Sequence, residues 1–428
     1  MSGSMGQPRV LESGLTVSGS ARVPGSKSAS HRCLNLALLA GREIAIDNPL
    51  VAEDTALFRA ALEALGWTVT DTADGWRLQP GSRPDAASIH CGNAGTMFRF
   101  LIASLATLPG TWTLDGTPRL RERPAGPLIA ALRTLGAEID CLAAEGHAPL
   151  RVTGGSLAGG SVRLDAGESS QYLSALLMAG LRTPLGIAVE TTALTSEPYV
   201  DLTRRAIEAF GAQVERAGAG WRVAPCAVLG TPRAAVEGDW SAACYPAAAA
   251  ALAGEIELLG LRHDSAQGDR RFLDLLAAMG AAVRWDGDRV RVARGPLAAL
   301  DADLSAIPDQ VPTLAALAPF ARGTTEIRNV AHLRIKESDR LRAMAEGLLA
   351  LGVPVEERPD GLAIRGVWAD APPPALPVRI DPHGDHRIAM SFALVGLRRP
   401  GITIDEPEVV AKSFPGFWGE LARWTGGR

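Results

Sequence analysis

The chain has 428 residues, 47% of them hydrophobic and 21% charged, enough for roughly two or three domains with real cores. A formal net charge of −4 and a pI near 6.0 exclude the basic face of a nucleic-acid binder, so any cationic site is local. The five cysteines, Cys33, Cys91, Cys141, Cys226 and Cys244, lack CxxC spacing, which points to reduced, buried thiols in the cytoplasm and to neither a disulfide framework nor a zinc site.

In chain order the first helix start is Pro24-Gly25-Ser26-Lys27-Ser28-Ala29-Ser30-His31-Arg32. The apolar run from Leu34 to Ala40 ends in Gly41-Arg42-Glu43 without the cleavage pattern of a signal peptide. Next comes ALEALGWTV, an amphipathic helix closed by Gly66 and followed by a short strand. The phrase recurs as LRTLGAEI, IEAFGAQV, LAAMGAAV and LLALGVPV, closed by Gly136, Gly211, Gly280 and Gly352, with a frayed sixth copy, ELARWTGG, at Gly426. The copies lie roughly 70 residues apart, a longer period than that of common solenoids. Glycine just past a helix end supplies a left-handed cap. Hairpins are predicted around Asp74-Gly75, Gly220-Trp221, Asp286-Gly287 and Asp360-Gly361.

A second class of helix begins about half a repeat earlier each time, at Lys27-Ser28, Gly95-Thr96, Ser169-Ser170, Ser241, Pro308-Asp309 and Asp385-His386. Each unit therefore reads strand, helix, strand, helix, then two strands, and six such units divide most simply into two α/β domains of three. Tyr245 to Ala253 is Ala-rich but is stopped by Gly254 and Glu255, well short of the roughly 20 residues of a membrane span. It reads as a core helix.

The starts of the second class are rich in hydroxyls, glycine and cations. Ser, Thr and Asp there also serve as ordinary N-caps, but a cap needs no cation beside it, and Lys27, Arg32, Arg99 and Arg387 stand at these starts. Glycines such as Gly95 let backbone N–H groups approach a ligand. The pattern suits a multiply anionic small molecule. It is no P-loop, because Pro-Gly-Ser-Lys-Ser lacks the four-residue spacer, and no GxGxxG opens a helix. The densest cluster is Leu333-Arg334-Ile335-Lys336-Glu337-Ser338-Asp339-Arg340-Leu341-Arg342. Leu341, Met344, Ala345, Leu348 and Leu349 then recur at helical spacing, so a helix is predicted to begin near Ser338 or Asp339. Lys336 and Glu337 sit at the lip of its positive dipole end, where Lys336 and Arg340 would strengthen the pull on an anion. More cations occur in Arg119-Leu120-Arg121-Glu122-Arg123-Pro124 and at Lys412.

From about Pro24 to Trp418 these motifs resemble the 5-enolpyruvylshikimate-3-phosphate synthases, the 3-phosphoshikimate 1-carboxyvinyltransferases. The pieces are PGSKSASHR, GNAGT followed by Arg99, RERP, SSQYLSALL, SEPYVDLT, GDWSAACYPAAAA, IPDQVPT, LRIKESDRL, DHRIAMSFAL and KSFPGFW, all in order. The resemblance implies an α/β fold of two similar domains, each of three βαβαββ repeats, the inside-out α/β barrel of enolpyruvyl transferases, closing on substrate like a clam. The domains would comprise residues 23–238, and residues 1–22 with 239–428, with hinges at about 21–23 and 238–239. It also implies a shikimate 3-phosphate site of Lys27, Ser28, Arg32, Ser169, Ser170, Gln171, Ser196, Asp309 and Lys336. The phosphoenolpyruvate site would use Lys27, Gly95, Arg123, Gln171, Arg340, Arg387 and Lys412. Arginines suit such anions because each can grip a carboxylate or phosphate by paired bonds. One departure is His332, four residues before Lys336, where many members place an Asn that helps hold the shikimate phosphate. In that family glyphosate competes in the phosphoenolpyruvate pocket, with a fit that depends on the glycine matching Gly95. Phe100 stands where sensitive relatives often carry Pro.

The implied reaction adds the 5-hydroxyl of shikimate 3-phosphate to C2 of phosphoenolpyruvate and protonates C3, then expels phosphate as C3 loses a proton. Asp309 is the candidate for the hydroxyl proton and Glu337 for the proton at C3, with Lys27 assisting either. No metal or organic cofactor is expected: His31, His383 and His386 lack ligand spacing, and the cations already stabilise developing charge. A monomer acting on two small molecules is expected, with no nucleic-acid or membrane partner. The UDP-N-acetylglucosamine enolpyruvyl transferases resemble the chain in repeat plan but use a loop cysteine, and none of the five cysteines lies beside Arg119 to Pro124.

Overall fold

All six helices of the first class stop where their glycines require. In the computed structural model, which describes residues 7–426, the helices Glu53–Ala64, Gly126–Thr134, Pro198–Ala209, Phe272–Met279, Arg340–Ala350 and Phe417–Trp424 run into Gly66, Gly136, Gly211, Gly280, Gly352 and Gly426. Each of these glycines has a φ between 71° and 109°. A Cβ is disfavoured in that left-handed region, which accounts for glycine at every copy.

The chain divides into two compact units, residues 25–237 and residues 1–24 with 238–428, each with its own hydrophobic core. In the unit 25–237 three helices of the second class, Lys27–Ala40, Gly95–Ala106 and Gln171–Gly180, pack on one another and are buried along most of their length. Around them lie three four-stranded sheets of one plan, a parallel pair followed by two antiparallel strands. One sheet runs Ala86–His90, Gly110–Asp115, Leu150–Gly154, Glu138–Cys141 and another Gly160–Ala166, Ile187–Leu194, Gly220–Val223, Val214–Ala217. The third joins Arg233–Ala235 to Ile44–Asp47, Gly75–Pro80 and Trp67–Asp71, so its first strand comes from the far end of the unit. The first-class helices are amphipathic because one side meets the core and the other meets water.

The other unit repeats the plan around Trp240–Ala253, Val311–Leu317 and His386–Gly396, which also pack mutually. Its Ala-rich helix is buried at nearly every position; Ala lets backbones approach closely, the packing value of that composition. Two of its sheets have four strands: Ser20–Arg22, Glu255–Leu259, Arg289–Ala293, Ala282–Asp286, and Asp301–Asp303, Thr324–Arg328, Gly361–Arg365, Val355–Arg358. The strand before Lys27 thus serves this unit, pairing parallel with Glu255–Leu259, and not the repeat that follows it in sequence. The sixth copy also departs from the repeat. Its helix Phe417–Trp424 forms, but among the described residues no hairpin follows, and Arg9–Val10 pairs antiparallel with Ile402–Ile404, completing a three-stranded sheet with Val378–Ile380. Among the described residues no helix is long and apolar enough to cross a membrane.

Candidate active site

Within the unit 25–237 most of the predicted site residues lie in the opening turns of the three central helices or just before them, while Arg123 follows the short helix Pro118–Glu122 and Ser196 precedes Pro198–Ala209. Ser26 caps the first, its Oγ accepting the Ala29 N–H at 3.4 Å, which sets Lys27 in the opening turn. Lys27 Nζ donates to Asp54 at 3.1 Å, a buried carboxylate on the neighbouring helix. Ser28 is half-buried beside it, and its carbonyl accepts from Arg32 Nη1 at 2.9 Å. Arg32 stands behind this turn. Its Nε donates to Thr203 Oγ1 and its Nη2 to the Tyr199 carbonyl, both at 2.8 Å; its guanidinium lies 5.4 Å from the Phe100 ring centroid, and burial pushes its pKa down to about 10.

Gly95 opens the second central helix without a side-chain cap. A Cβ there would lie 2.5 Å from Nη2 and 2.6 Å from Cζ of Arg123, so the bare Cα gives the guanidinium its room. Arg123 is itself buried and donates through Nη1 to the Asn93 carbonyl at 2.9 Å and to Asn93 Oδ1 at 3.2 Å. Gln171 heads the third helix and ties it to the second: its Oε1 accepts from Arg99 Nη1 at 2.7 Å and its Nε2 donates to Thr96 Oγ1 at 2.9 Å. Ser169 and Ser170 are buried just before it, with Ser169 Oγ accepting the Gln171 N–H at 3.2 Å. Ser196 is buried with a φ of 54°, in the left-handed region that non-glycine residues seldom adopt.

In the other unit the helix predicted near Ser338 or Asp339 begins at Arg340, with Asp339 accepting the Arg342 N–H at 3.1 Å. Lys336 and Glu337 precede it, half-buried. Arg340 is only 1% exposed and holds three carboxylates: Asp309 Oδ1, Glu337 Oε2 and Asp385 Oδ2, each at 2.8 Å. Burial opposes its charge, but Asp385, Glu337 and Asp309 outweigh that and raise its pKa. Its guanidinium is thus engaged by the protein's own carboxylates. Arg387 Nη2 donates to Asp309 Oδ2 at 2.7 Å. Burial alone would raise the Asp309 pKa, yet Arg387 and Arg340 hold it well below the usual carboxylate range. Lys412 is buried at the end of the 3-10 turn Pro407–Lys412, which packs on the helix His386–Gly396.

Some participants were not legible as such. Asp385, which the sequence marks only as a helix start, is fully buried, caps His386–Gly396 by accepting the Arg387 N–H at 2.9 Å, and also accepts from Ser338 Oγ at 3.1 Å. Asp269 is buried and accepts a hydrogen bond from Ser241 Oγ; burial and the charge of Asp309 push its carboxyl up to about 6. Among the described residues no group of three His, Cys, Asp or Glu side chains could hold a metal.

His332 lies in the 3-10 turn Ala331–Ile335, buried, with no hydrogen-bond partner for Nε2 among the described residues. Burial, then Lys336 and Arg340, push its pKa down to about 3 against the pull of Asp309. A folded pKa below the unfolded one means that the unfolded chain binds the extra proton between about pH 6.5 and 3, so stability falls as pH falls through that window. Exchanging His332 for Asn is therefore expected to lessen the acid loss, by on the order of 1–3 kcal/mol near pH 4.5. Parallel stability curves for the two proteins from pH 7 to 4 would refute it.

A family model described as EPSP synthase (3-phosphoshikimate 1-carboxyvinyltransferase) matches residues 11–421. A 3-phosphoshikimate 1-carboxyvinyltransferase of Syntrophobacter fumaroxidans is 48% identical over 403 residues, covering 92% of this chain and 94% of that protein. One of Escherichia coli O6:H1 is 40% identical over 425 residues, covering 95% and 96%. Among solved structures, an EPSP synthase from Acinetobacter baumannii superposes with a TM-score of 0.79 at 30% identity over 97% of each chain. The enolpyruvyl transferase NikO from Streptomyces tendae, 20% identical, also gives 0.79, covering 98% of this chain and 97% of that one, and so shares the enolpyruvyl transferase fold. The repeat plan, the motif order and a match along nearly the whole sequence agree: the chain belongs to the EPSP synthase (3-phosphoshikimate 1-carboxyvinyltransferase) family.

Proposed function

We propose that this protein transfers the carboxyvinyl group of phosphoenolpyruvate to the 5-hydroxyl of shikimate 3-phosphate and releases phosphate. The observation that carries this reading is the likeness to carboxyvinyltransferases over 92% of the chain. In it, shikimate 3-phosphate is held by Lys27, Ser28, Arg32, Ser169, Ser170, Gln171, Ser196, Asp309 and Lys336. Phosphoenolpyruvate is held by Lys27, Gly95, Arg123, Gln171, Arg340, Arg387 and Lys412. The protein works as a cytoplasmic monomer.

Electrostatics supports the division of labour. An Asp309 carboxylate bonded to both Arg340 and Arg387 is a weak base. When the substrate carboxylate recruits those guanidiniums, the charges that depress the Asp309 pKa are shared with another anion, and its basicity rises. Asp309 then takes the hydroxyl proton as oxygen bonds to C2, while Glu337 serves proton transfer at C3. In the second step phosphate leaves C2 and C3 gives up a proton, forming the enol ether. The fixed cations meet charge on the carboxylate and the departing phosphate without reorganising.

The test is a coupled assay of phosphate release from the two substrates. Turnover with shikimate 3-phosphate and none with UDP-N-acetylglucosamine supports the reading; the reverse replaces it. Because a ligand that binds only the folded state stabilises it, shikimate 3-phosphate at 100 times its Kd should add about 2.7 kcal/mol and raise Tm. A Tm that ignores ligand concentration would remove shikimate 3-phosphate as substrate.

A further inference from the structure

Tyr245 lies one turn after Ser241 on the buried helix Trp240–Ala253 and is 1% exposed. Its ring meets Phe417 edge-on, centroids 5.7 Å apart, and Phe417 is fixed in turn by Phe414, Trp418 and Trp424. The phenol therefore has a set direction, yet its hydroxyl completes no hydrogen bond among the described residues, an uncommon state for a buried tyrosine. The charges acting on it belong to the catalytic cluster. Burial pushes the phenol up to about 12, while Arg387 and Arg340 pull it back by their charge, Arg387 also by an approach that falls short of a complete hydrogen bond, and Asp385 raises it. The helix that carries Arg387 packs directly on the helix that carries Tyr245.

Phenylalanine would fill this space without leaving a buried hydroxyl short of a partner, so the oxygen has a use only where a donor reaches it. A guanidinium offers five N–H groups, and Arg387 gives Nη2 to Asp309. We propose that Tyr245 is a positioning residue whose hydroxyl oxygen accepts an N–H of Arg387 as that guanidinium turns from Asp309 to the substrate carboxylate, fixing its fork for paired bonds. The inference rests on the assignment of Arg387 to phosphoenolpyruvate.

Tyr245→Phe is tested by steady-state kinetics in both substrates and by thermal melting. The expected result is a rise of about five- to tenfold in KM for phosphoenolpyruvate. KM for shikimate 3-phosphate and kcat stay within about twofold, and Tm is equal or higher because the buried hydroxyl is gone. A lower Tm with both KM values shifted together, or an unmoved KM for phosphoenolpyruvate, overturns the proposal. Phe417→Leu loosens the same packing without touching the hydroxyl and should lower Tm alone; a matching KM shift there assigns the effect to packing and overturns the proposal. Arg387→Ala separates the two claims. If it leaves KM for phosphoenolpyruvate unmoved, the assignment of Arg387 fails and this inference with it. If it raises that KM and Tyr245→Phe does not, only the role of Tyr245 is lost.

Discussion

Asp309→Asn and Glu337→Gln are each expected to lower kcat by roughly a hundredfold or more, the scale of a lost proton-transfer group and equivalent to about 2.7 kcal/mol of barrier. Both changes are nearly isosteric, and the network around them tolerates the loss of one charge. Arg340 keeps two of its three carboxylates in either variant, so the buried guanidinium is not stranded and the fold persists. Binding of shikimate 3-phosphate, measured by calorimetry, should stay within a few-fold of wild type, since the cations proposed to hold its phosphate are all retained. Asp309→Asn should also free Arg387 from its ion pair and so move KM for phosphoenolpyruvate less than kcat. Near-normal turnover in both variants would sink the acid–base assignment.

Gly95→Ala should confer marked resistance to glyphosate, whose inhibition of the wild type is expected to be competitive with phosphoenolpyruvate. The methyl group would arrive 2.5 Å from Arg123 Nη2, too close to coexist with the guanidinium as placed. Arg123 can move, because its far end is flexible, but it is held by Asn93 on one side. Overpacking of this kind costs on the order of 1–3 kcal/mol, or roughly five- to 150-fold in affinity. The longer inhibitor should bear most of that loss, and KM for phosphoenolpyruvate should also rise, because the displaced group is proposed to bind it. Phe100, fully buried behind this turn with Arg32 stacked on it, packs inward from the Gly95 helix start. Inhibition constants for the two proteins decide the matter: equal values would show that Gly95 does not line the pocket.

Local chemistry made much of this legible in the sequence. A glycine after an amphipathic run, a hydroxyl before an apolar one and Asp-Gly between strands act over a few residues, and these signals located the helix ends and hairpins. What stayed hidden depends on contacts between distant positions. Lys27 looks like a free cation in sequence, and its partner Asp54 becomes evident only when two helices pack. Asp385 looks like a cap, and its grip on Arg340 spans 45 residues. Gln171 reads as a ligand in the sequence, and its bonds to Arg99 and Thr96 also couple two helices. His332 could be noticed as an unusual residue; burial beside Lys336 and Arg340, which keeps it neutral against the pull of Asp309, could not be read from one dimension.

The borrowed strands bear on how the molecule is made. In the unit 25–237 the first sheet waits for Arg233–Ala235, its edge strand. In the other unit Ser20–Arg22 waits for Glu255–Leu259, and Arg9–Val10 for Ile402–Ile404. On a ribosome adding roughly 5–20 residues per second, the inserted unit can therefore close about 1–5 s before Ser20–Arg22 meets its partner and about 8–34 s before Arg9–Val10 does. Until then Val10, 72% exposed even in the finished fold, belongs to an unpaired strand on a nascent chain, the kind of edge that chaperones hold and that mispairs when synthesis outpaces folding.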